Sequence, residues 1–218
     1  MKFIKHSLKI FLALQFFVVI LMSCNSNKNN SGNTVISSDT IQSKEAVNPY
    51  VTNDRSPMDM SYYPHDFPVS KMNGTDTTIP IARVIYSRPQ KKGRIIFGNT
   101  SKSLCEYGKE WRLGANEATE LEFFKDVIIN GKKIDKGRYV IYCIPYPERW
   151  TIILSKNLFT WGLHMDKTKD IFKVDVAVEL QAPVVEDFTM IFQPASYGTN
   201  LVMAWDNVKT ALRIRTTP

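Results

Sequence analysis

Apolar and polar residues alternate along 171–180: Phe172, Val174, Val176, Val178 and Leu180 fall on one side, Lys173, Asp175 and Glu179 on the other. A period of two puts successive side chains on opposite faces of an extended chain, so this stretch specifies a strand with one buried face and not an amphipathic helix. The pattern returns near the end of the chain, in Leu201, Met203 and Trp205 and again in Val208, Thr210, Leu212 and Ile214 against Lys209, Arg213 and Arg215. Asp206-Asn207 between these runs has the composition of a two-residue turn, which predicts a closing hairpin. Further strands are expected over 82–88, 94–98, 119–124, 127–130, 138–144, 150–155 and 188–193, separated by turn formers such as Asn130-Gly131 and Lys136-Gly137. No segment keeps a helical period over three turns. Many short strands with regular turns predict an all-β fold, a two-sheet antiparallel β-sandwich, with a jelly roll as the alternative. The longest interruptions, 100–118 and 157–170, are the places where a sandwich builds binding surfaces.

The first residues carry a different message. Lys2, Lys5 and Lys9 precede an apolar run over 10–22 that is broken only by Gln15; this is too short to span a bilayer and has the layout of an export signal. Leu21-Met22-Ser23-Cys24 resembles the lipobox of bacterial lipoproteins. That resemblance implies a signal peptide over 1–23, removed so that Cys24 becomes the lipid-modified first residue and anchors the chain to a membrane of the bacterial cell envelope. Residues 24–55 are rich in Asn, Ser, Thr and Lys, too polar to bury a core, and read as a tether with a mean span of roughly 30 Å. Asn25, Ser26, Asn27, Lys28, Asn29 and Asn30 lack the acidic run that resembles a surface-export tag, so the anchored chain is expected to face the periplasm. Residues 56–218 form the single folded domain, long enough for one core.

Charge and cysteines narrow the chemistry. The chain has 28 Lys and Arg against 21 Asp and Glu, a net of +7, but three of those lysines lie in the signal, and the remainder carries +4. A mild surplus spread along the chain argues against nucleic acid as a partner. Cys105 and Cys143 are either bridged in an oxidising compartment or buried as small hydrophobes, Cys143 alternating with Tyr139 and Ile141. Beyond the signal only His65 and His164 remain, without HExxH or paired-cysteine spacing, so no metal and no cofactor are expected. Met58, Met60 and His65, or His164 with Met165, could bind soft copper, but packing or loop roles explain them far better. The glycine spacing of 93–100 imitates a phosphate loop, but Asn99 stands where the lysine is required. No GxSxG elbow occurs. Asp39-Thr40-Ile41 and Asp76-Thr77-Thr78 resemble short bacterial O-glycosylation sequons.

Two clusters remain as candidate ligand-binding residues. Arg88, Lys92 and Arg94 lie in the basic run 87–94; if 89–93 turns between paired strands, Arg88 and Arg94 stand opposite one another and need something negative between them. That is either an internal carboxylate, such as Glu106, Glu110, Glu117 or Glu120, or an anionic ligand. Trp111, Arg112, Asn116 and Thr119 gather an aromatic plate, a guanidinium, an amide and a hydroxyl around Gly114, suited to a sugar or a carboxylate, or else to plugging the core and satisfying loop backbone.

The runs SRPQKKGR (87–94), WRLGANEAT (111–119) and GRYVIYCIP (137–145) resemble the signatures of domain of unknown function family 2911. The resemblance implies an exported, largely β domain without an assigned activity, in which Arg88, Arg94, Trp111, Arg112 and Asn116 form one unit. Three roles stay open on the sequence: non-catalytic binding of a protein, glycan or anionic ligand; a periplasmic hydrolase of cell-wall or polysaccharide fragments with an acid near Arg112 as base; and a purely structural envelope lipoprotein.

Overall fold

The computed structural model describes residues 54–75 and 78–216. The signal, Cys24, the tether through residue 53 and Asp76-Thr77 lie outside the described residues. Among the described residues, eleven strands, one short α-helix and a 3-10 turn at Lys167–Lys169 follow in order: β1 (Met58–Tyr63), α1 (Phe67–Met72), β2 (Ala82–Ser87), β3 (Phe97–Gly98), β4 (Cys105–Glu106), β5 (Glu120–Phe123), β6 (Val127–Ile129), β7 (Lys132–Ile134), β8 (Gly137–Pro145), β9 (Arg149–Ser155), the 3-10 turn, β10 (Asp170–Ala195) and β11 (Gly198–Thr216). Nine strands hydrogen-bond in the order β1-β2-β5-β8-β9-β10-β11-β6-β7, all antiparallel, and β3 and β4 form a small parallel pair.

The fold becomes two-layered because β10 serves both layers. Its first part, Asp170 to Ala177, pairs with β9, and its second, from Val178 onward, pairs with β11. The alternation that predicted this strand continues only as far as Val178; Leu180 is exposed, at the point where the strand changes sheets. Tyr86, Phe123, Tyr139, Ile141, Cys143, Trp150, Ile152 and Leu154 from one layer share a buried core with Phe188, Met190, Phe192, Leu201, Met203, Trp205, Leu212 and Ile214 from the other. Phe97, Trp111, Trp150, Phe188 and Trp205 cluster within it, with Trp111 stacked on Trp205 at a centroid distance of 5.7 Å. Aromatic burial of this kind carries much of the stability of a domain this size.

The Asn130-Gly131 turn closes β6 and β7, both residues at positive φ as a two-residue hairpin requires. Asp206-Asn207 does not. β11 runs unbroken through both residues, and the expected hairpin is absent: Asp206 (φ 57°) sits at an irregularity where Leu180 pairs with Val208 but Val185 with Asp206, so β10 spends extra residues and bulges. The signals for a turn and for a bulge are locally the same, a polar residue tolerant of left-handed backbone. The fold has other elements that the alternation did not reveal, the strands β1, β4 and β7 and the helix α1, while the 94–98 strand shortens to the two residues of β3.

Candidate functional site

The turn 89–93 does not join two paired strands. β2 is flanked by β1 and β5, and the turn docks instead on the irregular part of β10: Lys91 N donates to Glu186 O at 2.7 Å, Phe188 N to Pro89 O at 3.0 Å, and Gln90 bridges Asp187. Arg88 and Arg94 are therefore not cross-strand neighbours, and the predicted hairpin is corrected. Arg88 is held by internal partners, an ion pair to Asp59 at 3.2 Å and a hydrogen bond from Nη2 to Thr189 Oγ1 at 3.4 Å. The carboxylate is one from β1, outside the four glutamates that the sequence suggested. Lys91 pairs with Asp206 at 2.5 Å. Lys92 is exposed at φ 47°, its backbone N–H given to Glu186 Oε1 at 2.7 Å. Arg94 turns the other way, its guanidinium donating to the carbonyls of Gln90 and Lys91, and has no carboxylate partner among the described residues.

The second cluster is fixed to the centre of the sheet. Trp111 and Cys143 exchange backbone hydrogen bonds at 2.8 and 2.9 Å, and Trp111 Nε1 donates to Gly114 O at 3.2 Å. The indole is 8 % exposed and belongs to the aromatic core, so it forms the floor of the region and is no free plate. Thr119 is fully buried, with its hydroxyl donating to Leu113 O at 2.6 Å, a loop-closing bond out of a ligand's reach. Asn116, at φ 57°, donates from Nδ2 to Asp54 Oδ2 at 2.7 Å and to Ser56 O at 3.3 Å, tying the entering chain to the loop. Arg112 donates from Nη1 to Trp161 O at 3.1 Å and forms no ion pair among the described residues. Burial pushes its guanidinium down from the ordinary value, and nearby Glu117 acts in the opposite direction.

Arg94 and Arg112 face one cleft of about 330 Å³, floored by Trp111, Gly114 and Ala115 and bordered by Ser56, Leu104, Glu110 and Leu163. Ser56 also borders two adjoining grooves, one beside Lys92 and Arg94 and the other beside Asn116, Glu117 and Trp161. Glu110 is the acid at the cleft, and its carboxylate is bound to Lys167 at 2.8 Å. The predicted cluster is thus brought together in part: Arg94, Trp111 and Arg112 share the cleft, Lys92 and Asn116 border its neighbours, and Arg88 and Thr119 are tied up internally. Sequence reasoning missed Ser56, Trp161 and Leu163. The signal available for the last two was an alternation, Phe159, Trp161, Leu163, inside a segment read as loop.

Cys105 and Cys143 are buried and free. Desolvation pushes each thiol well up from its ordinary value. Among the described residues no group of three or more His, Cys, Asp or Glu is placed to hold a metal ion, and no helix is long and apolar enough to cross a membrane. No curated protein and no solved structure gives a significant match to this chain. The family model described as Protein of unknown function (DUF2911) matches residues 68–214, from within α1 to two residues short of the end of β11, and takes in all three signature runs and both cleft arginines. The chain belongs to the DUF2911 family.

Proposed function

We propose that this protein is a lipid-anchored module of the bacterial cell envelope, facing the periplasm, whose cleft between Arg94 and Arg112 binds an anionic group on a small molecule, glycan or protein without transforming it. The carrying observation is that two guanidinium groups border one open cleft and neither has a carboxylate partner among the described residues. Guanidinium forks without an internal anion suit bidentate capture of a carboxylate or phosphate. The signal layout and the lipobox-like Leu21 to Cys24 support the address. Binding is favoured over hydrolysis because Glu110, which lines the cleft, is engaged by Lys167, and among the described residues no carboxylate is hydrogen-bonded to either arginine to serve as base.

Calorimetric titration with glucuronate and with inorganic phosphate tests the cleft. Arg94→Ala and Arg112→Ala are each expected to weaken the binding about tenfold or more, the scale of one charge-assisted hydrogen bond. Binding that is unchanged in both variants would assign the arginines to scaffold. Acyl labelling of Cys24, lost in Cys24→Ala, tests the anchor independently.

A further inference from the structure

The segment between β9 and β10 alternates inward and outward over 158–163. Leu158 and Met165 pack inward on Ala118, Val140, Tyr142 and Ile153, covering the outer face of β8 and β9. Between them, Thr160 O accepts from Ala118 N at 3.2 Å and Gly162 N donates to Thr160 Oγ1 at 3.3 Å. Gly162 (φ 79°) lies so close to the body that a Cβ there would stand 3.0 Å from Ala118 Cβ and 3.1 Å from Arg112 Cβ. Over 158–163 the even positions seat the loop and the odd ones point away: Phe159, Trp161 and Leu163 are 84 %, 54 % and 65 % exposed. Three large apolar side chains are thus held in solvent by a seated backbone when the core needs none of them, and an exposed apolar cluster of this kind marks a contact surface.

Two features of the surroundings choose the occupant. Cations flank the ridge: the Arg112 guanidinium lies 5.8 Å from the Trp161 ring and that of Arg138 5.4 Å from the Phe159 ring, an arrangement of aromatic and basic groups suited to the headgroup layer. The chain also enters here. Asp54, the first described residue, is bonded to Asn116, and Asp54, Arg55 and Ser56 border the same groove as Trp161. The segment 24–53 leads from that point to Cys24, so an acyl group on Cys24 would attach the chain at this end of the body.

We infer that Phe159, Trp161 and Leu163 form a second membrane contact, entering the interfacial layer of the bilayer to which the acyl group on Cys24 would attach the chain. Residues with an apolar body and a polar tip, such as tryptophan, favour that layer. The bilayer is taken from the envelope reading above; the ligand of the cleft plays no part.

The chain has four tryptophans, and Trp111, Trp150 and Trp205 are 8 %, 1 % and 0 % exposed, so quenching from the lipid side reports Trp161. The acylated full chain is placed on vesicles of phosphatidylethanolamine and phosphatidylglycerol with brominated acyl chains. Bromolipid quenching should exceed that of Trp161→Phe at least about twofold and fall to the level of that variant when Phe159 and Leu163 are both changed to Ser, with the melting temperature kept because both side chains are exposed. Protein that floats with the vesicles but shows no bromolipid quenching, with acrylamide reaching Trp161 as freely as in buffer, overturns the insertion while leaving the anchor intact. Failure to float overturns the envelope reading and this contact with it. A dimer that the Phe159 and Leu163 substitutions dissolve would assign the ridge to a second copy of the chain and likewise overturn it.

Discussion

Trp111 and Cys143 are joined by a reciprocal pair of backbone hydrogen bonds, 2.8 and 2.9 Å, that pins the start of the 111–119 loop to the central strand β8. The floor of the cleft is thereby part of the sheet, and Arg112, the next residue, is delivered to the rim by a rigid element. A binding group set on such an element loses little entropy when it meets its ligand.

Trp111→Ala should therefore be a folding lesion first. The indole contacts Phe97, Trp150, Phe188 and Trp205, and its removal leaves a cavity at the junction of both layers. A loss of about 3–5 kcal/mol is expected, the range for deleting a large buried aromatic, read by urea denaturation. A loss below about 1 kcal/mol would show that the aromatic cluster does not anchor the loop.

Arg112 should behave in the opposite way. It has no ion pair among the described residues and donates to one carbonyl, that of Trp161, so Arg112→Ala should cost no more than about 1 kcal/mol in the same denaturation experiment. Arg112→Lys, which keeps the charge but not the fork, should recover stability and only part of the affinity for glucuronate. Full recovery of affinity would show that charge alone is read.

The two buried thiols should be inert in the folded protein. Burial raises the pKa of both Cys105 and Cys143, so little thiolate is present at mildly alkaline pH and the sulfur atoms are shielded from reagent. Iodoacetamide followed by mass spectrometry should find both unmodified in buffer and both modified in denaturant. Modification of Cys143 at native conditions would mean that β8 opens locally.

Alkaline pH should weaken the fold through Tyr86. Burial, before any other cause, raises its phenol from about 10 to about 12, and its hydroxyl donates to Asp59 at 3.1 Å. Between these values the unfolded chain releases the proton while the folded one keeps it, so stability is intact below pH 10 and falls as pH rises through that window. A shift of this size corresponds to about 2–3 kcal/mol. Tyr86→Phe should flatten the slope of stability against pH above 10, with a residual slope from Tyr142, whose phenol is raised by burial and by Asp170.

Much of the architecture is legible in the chain because local alternation is a local cause: Phe172 to Val178 and Leu201 to Trp205 announce strands, Asn130-Gly131 announces its hairpin, and the gathered motifs mark Arg94, Trp111 and Arg112. What alternation cannot specify is partnership. Asp206-Asn207 suits a turn or a bulge equally, and the bulge prevails because β10, long enough to serve both layers, offers β11 a continuous partner on either side of it. Likewise nothing in the run 87–94 says that Arg88 meets Asp59 and that Arg94 meets no acid among the described residues, nor that the loop after β9 turns Phe159, Trp161 and Leu163 outward. Those outcomes rest on residues far apart in sequence and are decided by which backbone groups find hydrogen bonds when the two layers close on the aromatic core.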